Sequence, residues 1–299
     1  MALEILVGKD INKKLKTIIE RRNATIVPGA FNAITAKQIQ DANFEAVYLT
    51  GAGITNAQLG LPDLGFINVN NLLDIVNSVR DICELPIIVD IDTGFGNEIN
   101  LYRTIRALER SGVSGVQIED QEFPKKCGHF EEKKIISINE AINKIKAAVD
   151  SRIDNNFCII ARTDARAVLG FNAAIDRAGA FLNAGADVIF IESPTTKEEI
   201  LKIPNLIKAP HMINLVHGGK TPVLEKKELE QMGYSIVLYA NALLQAAMLS
   251  SYEILNYINK NGSISGYENK LVSFNERQKI LNKDFFDNFE KKYSLNGDK

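Results

Sequence analysis

The chain has 299 residues, 45% hydrophobic and 24% charged, with 35 basic against 37 acidic side chains. This is an ordinary globular composition with enough apolar material for a sizeable core, and the interspersed, nearly balanced charge excludes a basic nucleic-acid face. Cys83, Cys127 and Cys158 are odd in number and far apart, which fits a reducing compartment rather than a disulfide framework.

The opening stretch, MALEILVGKDINKKLKTIIERR, lacks the apolar core of a signal peptide and soon becomes charged, so a soluble cytoplasmic protein is expected. Short β-branched runs then recur along the chain: ATIVPGA (24–30), EAVYLTG (45–51), PIIVDID (86–92) and GVQIEDQ (115–121). CIIARTD (158–164), VIFIES (188–193), HMINLV (211–216) and YSIVLYA (234–240) continue the series. These runs are continuous rather than alternating, as parallel strands covered on both faces require. Amphipathic helical stretches lie between them, such as NLLDIVNSVRDI, LYRTIRALERSG and NEAINKIKAAVDSR. Several helices close on a glycine, in RSGVSG, NAGAD and QMGY, which suits a left-handed cap.

Eight strand–helix units in about 240 residues predict an α/β fold of the (β/α)8 TIM-barrel type. An open doubly wound sheet would use fewer strands and place a glycine-rich turn after the first. The apolar IVLYANALLQAAMLS is too short to span a bilayer. The barrel with its N-terminal helix is expected over 1–255. A linker and helical extension follow over 256–299, in which Phe274, Phe285, Phe286 and Phe289 need cover.

The C-terminal ends of the strands are unusually polar. They carry Tyr48 and Thr50, Asp90 and Asp92, Glu119 and Asp120, Arg162 and Asp164, Glu192, and Asn214. In a parallel barrel these ends meet at one face, where active sites are built. A single acid there could merely cap the next helix, but recurrence on six strands points to a catalytic face.

In VDIDTGFGN, Asp90 and Asp92 stand two apart on a strand and face the same side. Paired carboxylates repel unless a cation or a proton lies between them, and Glu119 offers a further oxygen. Such a set suits Mg2+, with Mn2+ as the alternative metal. The simpler reading has Asp92 capping a turn and Asp90 pairing with Arg162.

EFPKKCGHF, at 122–130, places Cys127 among Lys125, Lys126 and His129. Neighbouring cations lower a thiol pKa and fit it for proton transfer. The loop follows the fourth strand directly, so it could close over a substrate, or serve only as a polar connection. GGKT at 218–221 fails as a phosphate loop because Asn214 stands where that pattern needs glycine. Cys127 and His129 have no second pair at zinc spacing. His211 and His217 flank the seventh strand in supporting roles.

With YLTGAG, LGLPDLG, VDIDTGFGN, IEDQEFPKKCGH and ARTDA in this order, the chain resembles the isocitrate lyase/phosphoenolpyruvate mutase superfamily over nearly its whole length. The resemblance implies a (β/α)8 barrel whose C-terminal helix is swapped between subunits of a homotetramer, a dimer of dimers. It implies Mg2+ held by Asp90 and Asp92, with Asp63 and Glu119 acting through water. Thr50, where the family usually has serine, would bind the 2-keto-acid end with Gly51 and Ala52. Arg162 would grip a carboxylate, and Glu192, Asn214 and Gly128 would line the site. Cys127 would be the acid–base residue, with His129 beside it and Tyr48 a candidate base.

KKCGH is similar to the carbon–carbon lyase branch, and YAN at 239–241 to the mutase branch. The implied reaction is retro-aldol cleavage of a 2-hydroxy dicarboxylate to pyruvate and a short carboxylate. Gln245 and Phe274 stand near positions where tricarboxylate-cleaving members carry arginine. That favours 2,3-dimethylmalate over 2-methylisocitrate, with oxaloacetate hydrolysis and phosphonopyruvate mutase or hydrolase chemistry as further alternatives.

Overall fold

The structure, a computed structural model, describes residues 9–128 and 130–294. The first half runs α1 (Lys9–Glu20), β1 (Thr25–Ala30), α2 (Ala33–Asp41), β2 (Val47–Leu49), α3 (Gly51–Leu59), α4 (Val69–Arg80), β3 (Ile87–Asp90), α5 (Glu98–Arg110) and β4 (Gly115–Glu119). Then come α6 (Ile138–Ser151), β5 (Cys158–Thr163), α7 (Ala165–Leu169), α8 (Phe171–Asn183), β6 (Val188–Ile191), α9 (Lys197–Leu206), β7 (His211–Asn214), α10 (Lys226–Met232) and β8 (Ile236–Tyr239). The chain continues through α11 (Ala242–Asn261), α12 (Phe274–Ile280) and α13 (Lys283–Tyr293).

All eight expected strands form, each pairs in parallel with its neighbours in sequence, and β8 closes on β1 through Thr25↔Ile236 to Pro28↔Tyr239. Strands end where side chains begin to serve other elements. Thr50, expected at the end of the second strand, instead caps α3 by accepting the Gly53 N–H at 3.2 Å.

Alternation along each strand sorts its residues into two cores. Ile87 and Val89, like Ile159 and Ala161, face the helices and join their buried stripes. Ile88 and Ile160 face the barrel axis with Tyr48, Phe190, Met212 and Leu238. α1 joins this axial core, because Ile11, Leu15, Ile18 and Ile19 recur at helical spacing and are buried. It meets the strands at their N-terminal ends: a side chain at Gly115 would lie 3.1 Å from Leu15. Asn12 and Asp154, 3.1 Å apart, tie the helix to the turn before β5.

The chain divides into compact units at Leu244 and Gln245, within α11, upstream of the 255/256 boundary expected from composition. In the second unit, Tyr257 donates to the Ser265 carbonyl at 2.6 Å and its ring packs at a tilt against Tyr267, so part of the expected linker is an ordered turn. Phe274, Phe286 and Phe289 are exposed. Among the described residues no helix is long and apolar enough to cross a membrane.

Candidate active site

The inward register that fills the axial core also builds the polar face. Two residues beyond Tyr48, Ile88, Ile160, Phe190 and Met212 stand Thr50, Asp90, Arg162, Glu192 and Asn214. Gln117 and then Glu119 hold the same register on β4. One cavity is lined by Tyr48, Thr50, Ala52, Asp63, Asp90, Gln117, Arg162, Glu192, Asn214 and Asn241. Lys125, Cys127 and Gly128, from the loop between β4 and α6, complete the lining. Gly51, Asp92 and Glu119 lie against this lining; His129 falls outside the described residues.

Burial makes these charges interact strongly. Asp63, Asp90, Asp92 and Glu119 are all buried. Burial, reinforced by Asp90 and Asp63, pushes the Asp92 carboxyl up to about 7 in spite of Lys125. Asp90 accepts from the Asp92 N–H at 3.1 Å and from Gln117 Nε2 at 3.3 Å, and it forms none of the ion pairs of Arg162. Arg162 instead lies 3.2 Å from Glu119, 3.0 Å from Asp164 and 3.4 Å from Glu192. Burial and Asp90 raise Tyr48 well above the usual phenol range, and its hydroxyl donates to Gln117 at 2.5 Å. Tyr48 is therefore a neutral donor at rest.

Lys125 corrects the expectation that both lysines of the loop act on the thiol. Its ammonium is buried 2.6 Å from Asp63 and 2.8 Å from Asp92. Burial alone would lower its pKa, but Asp92, Glu119, Asp63 and Asp90 outweigh that and raise it. Lys126 points elsewhere, 3.8 Å from Glu132.

A divalent cation fits this cluster as a guest of two carboxylates. Without a side chain, Gly51 opens onto the pair: a Cβ there would sit 3.2 Å from both Asp90 Oδ2 and Asp92 Oδ1. Oε1 of Glu119 is buried with no hydrogen-bond partner among the described residues. Three or more acidic, His or Cys groups do not gather as a closed ligand cage among the described residues. An all-oxygen pair that leaves positions to water is the mode by which Mg2+ binds, and Lys125 already shows that the cluster accepts positive charge.

Known proteins agree with the geometry. A family profile described as phosphoenolpyruvate phosphomutase matches residues 15–258. The chain belongs to the phosphoenolpyruvate mutase/isocitrate lyase superfamily. Within it, the chain is 39% identical over 268 residues to a 2,3-dimethylmalate lyase of Eubacterium barkeri, covering 90% of this chain and 93% of that one. It is 40% identical over 262 residues to a 2-methylisocitrate lyase of Aeropyrum pernix, covering 88% and 84%. The crystal structure of a 2,3-dimethylmalate lyase superposes with a TM-score of 0.88 at 29% identity, covering 94% of this chain and 95% of that one.

Three site residues escape a reading of sequence alone. Gln117 was signalled only as a polar residue at an inward strand position. Asn241, 3.2 Å from the Thr50 hydroxyl, lies in YAN at 239–241, where nothing local marks its partner. Lys133 had no signal, because the lysine pair KK gives no hint of which member is buried.

Proposed function

We propose that the protein is a Mg2+-dependent carbon–carbon lyase that cleaves a substituted 2-hydroxy dicarboxylate, with 2,3-dimethylmalate as the substrate and pyruvate and propionate as products. The observation that carries this reading is the loop: Cys127 and Gly128 line the same cavity as Asp90, Arg162 and Glu192. A proton-transfer group is thus brought to a site that combines a cation-binding carboxylate pair with one guanidinium clamp.

Asp90 and Asp92 would hold the Mg2+, with Asp63 and Glu119 behind them. When bound there, the ion would supply Lewis-acid polarisation to the oxygens of the substrate. Arg162 binds the other carboxylate, and its planar fork suits that task. Tyr48, a neutral donor held by Gln117, orients the substrate's 2-oxygen rather than acting as the expected base, and the hydroxyl proton passes to a buried carboxylate of the cluster as the C2–C3 bond breaks. Electrons from that bond pass to C3, where the adjacent carboxylate spreads the charge, and Cys127 protonates this carbon to give the short acid. Phe190, Val216, Leu238 and Ala240 form the apolar wall, which suits methyl substituents. Arg162 and Lys125 are the cations of the lining among the described residues, and Lys125 is committed to Asp63 and Asp92. That leaves one clamp, enough for a dicarboxylate and short for a tricarboxylate.

The test is pyruvate release in Mg2+ from 2,3-dimethylmalate and from 2-methylisocitrate, by wild type and Cys127→Ser. The reading expects pyruvate from dimethylmalate, and a loss of roughly 100-fold or more in kcat for the variant, as for a general acid–base group. Faster cleavage of methylisocitrate would replace the substrate. Release of no pyruvate from either would remove the lyase reading. The same reading carries a homotetramer, since α11 and α13 expose Leu249, Tyr252, Leu255, Phe286 and Phe289 for a second copy to cover. Sedimentation as a monomer would remove that part.

A further inference from the structure

We infer that Lys133 is a positioning residue: a latch that fixes the closed loop, and with it Cys127, to the carboxylate-binding Arg162 through Asp164. This rests on the reading of the loop as a gate, and its evidence is separate from the chemistry of Cys127. Lys133 sits at the far end of the loop, five residues after Gly128, yet its side chain is only 1% exposed. Its ammonium donates to the Gly128 carbonyl and lies 2.7 Å from Asp164 Oδ1. Asp164 also receives Arg162 Nε at 3.0 Å and Nη2 at 3.2 Å.

Asp164 is thus the junction between loop and substrate clamp, and it is itself rigidly set. Its N–H donates to Asp120 at 2.9 Å, and Asp120 is held in turn by Thr163 at 2.6 Å and Arg177 at 2.8 Å. Burial would raise the Asp164 carboxyl, but Arg162 and Lys133 together pull it down to about 2. The ion pair is therefore intact across the working pH range.

Only a glycine at 128 lets the loop settle here, because a Cβ would come 2.5 Å from Arg162 Nη2 and 2.7 Å from Glu192 Cγ. Ser193 Oγ lies 3.3 Å from the Gly128 carbonyl and 3.0 Å from Glu192 Oε1, so its single proton is shared with the nearer carboxylate and Lys133 is the committed donor to that carbonyl. Since Cys127 precedes Gly128 in the chain, the ammonium held on that carbonyl fixes the backbone beside the thiol. A lysine buried merely for stability would have no reason to bridge the loop that carries Cys127 to the carboxylate that holds Arg162.

Thiol alkylation reads the latch without relying on turnover. Cys83 and Cys158 are 0% and 1% exposed, whereas Cys127 is half-buried, so iodoacetamide on the native protein reports the loop. Lys133→Met should accelerate alkylation of Cys127 about tenfold or more, the factor that a hydrogen bond from a charged donor carries. It should lower kcat to a similar degree, with circular dichroism unchanged, and Lys133→Arg should recover part of both. Alkylation within about twofold of wild type in folded Lys133→Met, whatever its kcat, would overturn the latch. If Lys133→Met fails to fold, Lys133→Gln takes its place: it keeps a neutral donor but loses the charge, so a rise of roughly threefold is expected, and no change would overturn the proposal. Should wild type cleave neither dicarboxylate, the alkylation arm still decides the latch, so the two failures are separable.

Discussion

The two ends of the barrel axis are buried alike and built from opposite materials. At the N-terminal end, Leu15, Ile18 and Ile19 of α1 plug the strands with hydrocarbon. At the C-terminal end, strands continuing in the same inward register present Asp90, Glu119, Arg162 and Glu192. Burying apolar area is favourable by itself, whereas burying charge is favourable only inside a matched set. The plug can therefore be changed at the cost of stability alone, while a change at the charged end alters stability and chemistry together.

The largest effect is expected where that matching is broken. Arg162→Met leaves Glu119, Asp164 and Glu192 without their shared cation. Removing one partner of a buried ion pair costs about 3–5 kcal/mol. Urea denaturation should show a loss of that order, together with a fall of roughly 1000-fold in kcat/KM from loss of the carboxylate clamp. A variant as stable as wild type would mean that the carboxylates take up protons and need no cation, which would dissolve the contrast between the ends.

At the plug the expectation is narrower. Leu15→Ala should cost about 3 kcal/mol, in the range for buried leucines that leave a cavity. Below the melting temperature, kcat should stay within about twofold of wild type, because α1 meets the strands at the end away from the site. A large drop in kcat with a small change in stability would show that the plug shapes the strand ends, and that the two halves are one unit.

The barrel was more legible in the sequence than the site, and the N-terminal helix was expected without its role as a plug. Eight continuous apolar runs give eight strands, because apolar periodicity is a local signal that burial on both faces imposes residue by residue. Asp90, Arg162 and Glu192 were legible for the same reason, being strand residues two steps beyond apolar ones. The loop was not legible in detail. Its lysines look equivalent in the chain, yet Lys125 turns to Asp63 and Asp92, Lys126 to Glu132, and Lys133 to Asp164. Those partners lie on other elements, so only the closed fold distinguishes the three.

The smallest effect tests a polar exception near the N-terminal ends. His211, the first residue of β7, is buried; one ring nitrogen lies 2.8 Å from the Ile207 carbonyl, and Nδ1 has no partner among the described residues. Burial, with Arg22 and Lys208 adding repulsion, lowers its pKa to about 4, and the flanking Tyr234 ring offers no compensating charge. Between pH 6.5 and 4 the unfolded chain takes up a proton that the folded protein refuses, so stability falls as pH falls. Going from pH 7 to pH 5 should cost about 2 kcal/mol through this group. His211→Gln should lose about that much less than wild type over the same interval in urea titrations, with kcat at pH 7 unchanged. Equal losses in the two proteins would mean that the imidazole is protonated in the folded state, and that the N-terminal end tolerates buried charge as the catalytic end does.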